Sequence, residues 1–214
     1  MPDAGKLLDN FLLAEGVSEQ EFHAENKKIQ GLLEEISLIR SQAIQYFVRS
    51  MLLRAEEFWA APADDRVGVF PEDEYESGGL VLHTKRCVRA VVILADAYGL
   101  EENEKDLVIA AAILHDITKA AYSESAYDFD PMHPYTVDAF LRSVQADDKI
   151  FGDESKSTVM YLEEDTIAQI MRLIRCHLGL YSPVPETIPI TNTDMVVHLA
   201  DLMAMNLEKI MYGS

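Results

Sequence analysis

LVIAAAILHDITKA, residues 107–120, decides how this chain is read. Leu107 to Leu114 are apolar without a break, the pattern of a helix buried on every side. Glu101, Glu102 and Glu104 precede them, matching the acidic residues favoured in a first helical turn. The run ends on His115 and Asp116. An ionisable pair at the end of a buried helix is costly unless both groups are paired or coordinated. Lys119 follows Asp116 by three positions and His115 by four, so it shares their helical face.

Working outward, other helices carry the same kinds of group. The Gly78-Gly79 pair permits a tight entry to a helix opened by His83, carried by Val88, Val91, Val92, Leu94 and Ala95, and stopped by Gly99. His133 precedes Pro134, which suits the first position of a helix running to about Val144. Glu163 to His177 is amphipathic through Ile167, Ile170, Met171 and Ile174, with Gly179 as its stop. Asp201 interrupts the apolar stretch MVVHLADLMA, a helix that Thr193 or Asp194 can cap. The order His83, His115-Asp116, His133, His177, Asp201 supplies imidazoles and carboxylates, the ligand types that divalent transition metals select. A metal-dependent enzyme is the reading these residues support. His198, one turn before Asp201, reads as a core or surface residue or as a partner of a ligand. Cys87 and Cys176 read as small buried packing residues rather than ligands. No GxSxG elbow, P-loop or CxxC pair offers another chemistry.

The remaining sequence sets the frame. Its 214 residues, 49% hydrophobic, suffice for one sizeable core. The first sixty or so residues read as helical, through Leu7, Leu8, Phe11 and Leu12, then Phe22, Ile29, Leu32, Leu33, Ile36 and Ile39, then Phe47, Val48, Met51, Leu52 and Phe58. Ala60 to Gly79 breaks the periodicity with prolines, glycines and an acidic run, a long loop that either is a solvated linker or borders the pocket through Phe70 and Tyr75. Ser182 to Thr193, with Pro183, Pro185 and Pro189, is non-helical. No strand alternation appears, so the fold expected is all-α. Lys and Arg total 18 against 37 Asp and Glu, a formal net charge of -19. Extended nucleic acid is therefore disfavoured, whereas a small anionic substrate held by metals is allowed. No apolar run reaches the roughly 18 residues that span a bilayer. The start lacks the marks of a secretory signal, and the cysteines form no disulfide framework, so a cytoplasmic location is expected.

In combination, GGLVLHTKRCVRAVVILADAYGL, LVIAAAILHDITKA, His133-Pro134, CHLG around His177 and VVHLADLMA around Asp201 resemble the HD-domain superfamily of metal-dependent phosphohydrolases. Thr118 stands where the family more commonly has glycine. The resemblance covers roughly Leu80 to Leu207. It implies a helical bundle in which His83, His115, Asp116 and Asp201 bind a first metal, and Asp116 bridges to a second held by His133 and His177. One or two divalent ions (Fe, Mn, Zn, Co or Ni) are the cofactors implied. Asp116 and Lys119 are the catalytic residues implied, Lys119 offsetting charge on phosphoryl oxygens during attack by an activated water. The substrate expected is a nucleotide or other small phosphate compound. A diiron oxygenase and a non-catalytic nucleotide-binding or structural metal module are the alternatives. The organisation expected is a helical extension over 1–62, an acidic loop over 63–79 and a metal-binding catalytic domain over 80–214. The N-terminal helices are a possible route to a homo-oligomer, and no membrane partner is expected.

Overall fold

In a computed structural model of the chain, the structure describes residues 26–64, 69–121, 131–150 (side chains to 144) and 162–205. The apolar faces expected at Leu7 to Leu12 and at Phe22 lie outside these residues, as do Asp65 and Gly68 of the loop. All regular structure among the described residues is helical. The α-helices are α1 (Leu33–Ser37), α2 (Gln42–Arg54), α3 (Gly79–Ala97), α4 (Glu102–Leu114), α5 (His133–Ile150), α6 (Glu164–Cys176) and α7 (Asn192–Ala204).

α4 is the axis of the bundle. It packs against α2, α3, α6 and α7, and every residue from Val108 to Leu114 is buried. That explains its lack of a polar face. It starts in a capping box, with Glu101 Oε accepting from the backbone of Glu104 and the Glu104 carboxylate accepting from Glu101 N–H. α3 and α7 make the most extensive helix pair, and α5 lies against α6 and α2.

The apolar stripe of the N-terminal part is not one continuous helix. It breaks at Leu38–Ser41, where Asp106 of α4 accepts the backbone N–H groups of Arg40 (2.8 Å) and Ser41 (2.9 Å). Ser41 then caps α2 through Ile44 N–H. Ile29, Leu32, Phe47, Met51 and Phe58 belong to the same buried cluster as Leu80, Ile113 and Ile170. This part of the expected extension therefore shares its core with the rest of the bundle.

Other boundaries move for identifiable reasons. α3 begins at Gly79, so His83 sits in its second turn rather than opening it. Gly78 caps the helix at φ +85°, and a Cβ on Gly79 would meet the Glu74 carbonyl oxygen at 1.9 Å. α5 runs on from Val144 to Ile150. Thr191, not Thr193 or Asp194, is the N-cap of α7; Asp194 is its capping-box partner, accepting from Thr191 N–H. Between α6 and α7 the proline-rich stretch is held to α5 by Tyr135 Oη, which lies 2.7 Å from Ser182 Oγ and 2.8 Å from Thr187 Oγ1.

Candidate metal centre

Helix ends supply most of the polar groups. His115 and His177 are the C-cap residues of α4 and α6, Asp116 comes next after the α4 C-cap, and His133 is the first residue of α5. His83 and Asp201 come from the paired helices α3 and α7. The structure brings all six side chains together, five of them buried and Asp201 partly so.

Two subsets are resolved. His83, His115 and Asp201 converge with Cys87, and Asp116 converges with His133 and His177. In the first, His83 Nε2 lies 3.0 Å from Asp201 Oδ1 and 3.3 Å from His115 Nε2. In the second, His133 Nε2 is 3.1 Å from His177 Nε2 and 2.8 Å from Asp116 Oδ1. The Asp116 carboxylate faces both ways, since its Oδ2 lies 3.6 Å from His115 Nε2 and 4.0 Å from His83 Nε2. Cys87 is the member that the sequence reading assigned to packing.

Groups behind the cluster orient the rings. His115 Nδ1 and His177 Nδ1 donate to the carbonyls of Ala112 (2.8 Å) and Ile174 (2.7 Å). That arrangement places the lone pair of each Nε2 toward the cluster, as a metal ligand requires. Behind His83 stands Glu74, fully buried and 3.5 Å from Nδ1. Arg86 pairs with Glu74 and with Asp73, the latter at 2.7 Å. His198 serves neither subset directly; its Nδ1 donates to the His177 carbonyl oxygen at 2.7 Å. Glu74 had no sequence signal beyond its place in the acidic run.

Electrostatics show how strongly the groups are coupled. Burial opposes ionisation of Asp116, yet Lys119, His115 and His133 hold its carboxyl well below the usual range. Burial would lower His115, but Asp116, Cys87 and Asp201 raise it to about 9. His177 goes the other way, to about 3, through burial and the neighbouring His115 and His133. Burial likewise pushes the Cys176 thiol up to about 11, and it joins neither subset.

A cavity of about 250 Å³ opens on this cluster. Asp116, Lys119, His133, His177 and Asp201 line it together with Phe70, Tyr181 and Leu202. Lys119 Nζ sits 3.1 Å from Asp116 Oδ2 and 5.1 Å from the centroid of the Phe70 ring, a cation–π distance. Phe70 also packs edge-on against His83. The acidic loop thus borders the pocket through Val69 and Phe70. It is not simply solvated, for Asp64, Phe70 and Glu74 are buried.

The donor set fits divalent metal ions on its own chemistry. Imidazole nitrogens and carboxylate oxygens, with a thiol in one group, converge so that the donor atoms of each group lie within 4.8 Å of one another. Among comparisons with known proteins, the family model for the HD domain matches residues 80–206. No curated protein and no solved structure matches the chain.

Proposed function

Since this chain belongs to the HD domain family, a superfamily of metal-dependent hydrolases, we propose that it is a phosphohydrolase cleaving a phosphoester of a nucleotide or another small phosphate compound. The observation that carries this reading is the position of Lys119, a cation beside the shared carboxylate of Asp116 and on the wall of the cavity. Ions held by His83, His115, Asp116, His133, His177 and Asp201 would supply an activated water and offset negative charge on the phosphoryl oxygens.

The protein's own groups do the remaining work. Asp116 ties the two subsets together. Lys119 turns from Asp116 to a phosphoryl oxygen, guided by the Phe70 face beneath it, and offsets charge there. Among the described residues, Lys119 is the only Lys or Arg lining the cavity, which suits one phosphoryl group better than a polyphosphate chain. The apolar wall of Phe70, Tyr181 and Leu202 suits an uncharged organic portion. The net charge of -19 opposes longer polyanions.

Elemental analysis of the purified protein, joined to a screen of nucleotides and other phosphoesters, tests the proposal. Phosphate release that stops on chelation and returns with a divalent ion is expected. Oxygen consumption by the iron-loaded protein without phosphate release would replace this reading with an oxygenase. Binding without turnover across the panel would replace it with a sensing module.

A further inference from the structure

Cys87 follows His83 by one turn of α3, so both side chains reach the same face. Its Sγ lies 3.4 Å from His83 Nε2, 3.9 Å from His115 Nε2 and 3.9 Å from Asp201 Oδ1. The other three separations within this group are 3.0, 3.3 and 3.7 Å. A tetrahedral ion with nitrogen and oxygen at about 2.1 Å and sulfur at about 2.3 Å needs donor–donor edges of roughly 3.3–3.6 Å. All six observed edges lie within roughly half an ångström of that range.

Three of the four inner donors are also set back from the cavity. His83, Cys87 and His115 are each at most 1% exposed, and none of them lines the cavity. Asp116, His133 and His177 all line it, and of the inner group Asp201 alone reaches it. Four protein donors close a metal position, whereas three leave a place for water or substrate.

We propose that Cys87 is a thiolate ligand of the ion held by His83, His115 and Asp201, making this a sulfur-bearing position that meets the cavity only at Asp201, behind a more open one formed by Asp116, His133 and His177. The inference rests on the metal-dependent reading above. It assigns unequal roles to the two positions. The inner one favours softer ions such as zinc, iron or cobalt. The outer one faces the cavity and exchanges more readily.

Cobalt(II) titration of the full-length metal-free protein tests this, read by absorption rather than by turnover. Expected are visible ligand-field bands together with a near-ultraviolet thiolate-to-cobalt charge-transfer band. Cys87→Ser and Cys87→Ala should lose the charge-transfer band and release their tightest cobalt at least tenfold more readily, while Cys176→Ser keeps both properties. Ligand-field bands without charge transfer in the unaltered protein would overturn the role of Cys87 and leave the metal centre standing. A charge-transfer band that survives Cys87→Ser would do the same. No cobalt binding at all would overturn the metal-dependent reading itself.

Discussion

Glu74 presents a carboxylate oxygen 3.5 Å from His83 Nδ1, on the opposite edge of the ring from the nitrogen that faces Asp201. Both side chains are almost wholly removed from solvent. The negative charge at this distance raises the basicity of the ligating imidazole. Glu74→Gln keeps the shape and removes the charge. It should weaken metal binding by about 10- to 100-fold while leaving helical content unchanged. Metal titration alongside circular dichroism checks this, and undiminished affinity would reduce Glu74 to a partner of Arg86.

Lys119→Gln separates charge stabilisation from metal binding. Turnover of the best phosphoester should fall by roughly 10²–10³ with metal content retained, the scale of losing one preorganised electrostatic group. Parallel kinetics and elemental analysis read the two effects. Loss of metal with no further loss of rate per bound ion would make Lys119 a counter-ion of Asp116 only.

Gly179 adopts φ +56°, and a Cβ there would lie 2.2 Å from the His198 ring. His198 in turn holds the backbone of His177. Gly179→Ala should therefore lower stability, by about 1–3 kcal/mol, and weaken the outer metal position as well. Thermal unfolding and metal titration together check it. Gly99, whose added Cβ would meet nothing within 4 Å, is the control for a positive-φ glycine away from the centre.

Asp106→Ala strips the acceptor from two backbone N–H groups at the α1–α2 break. Hydrogen bonds to a charged acceptor contribute about 1.5–3 kcal/mol each at most, so a loss of roughly 2–4 kcal/mol is expected. Denaturant unfolding measures it. A change below about 0.5 kcal/mol would mean that water replaces the carboxylate without cost.

Asp194 gives a pH signature. Burial works to raise its carboxyl, but Arg172 and the backbone N–H groups of Thr191 and Ile190 hold it below the ordinary carboxylate value. The folded pKa is thus lower than the unfolded value near about 3.9. Its contribution is complete above that value and is lost as pH falls toward the folded one. Asp194→Asn should cost about 1–3 kcal/mol at neutral pH, with the gap to the unaltered protein closing below about pH 4. A gap that stays constant across pH 3 to 7 would rule out the ionised carboxylate as its source.

Much of the fold was legible along the chain because burial leaves a linear trace. The unbroken apolar run Leu107–Leu114, led by Glu101, Glu102 and Glu104, marked an element buried on every side, and α4 touches four long helices. Gly99, Gly179 and Pro134 marked ends because their backbone preferences are local. The α1–α2 break was not legible, since the group that stabilises it, Asp106, lies more than sixty residues away. The cap of α7 moved by two residues because both Thr191 and Thr193 carry a suitable hydroxyl.

For the candidate centre, sequence alone determined which residues are chemically strange: imidazoles and carboxylates at the ends or in the middle of apolar helices, where leaving them unpaired costs free energy. Tertiary structure alone decided which of them meet. It set Cys87 among the donors of His83, put Glu74 behind that ring, and turned the two oxygens of Asp116 toward different subsets. Residue type states what a group can do in any surroundings. Which atoms lie within a few ångströms of it is set by how separate helices pack, and that information has no fixed spacing along the chain.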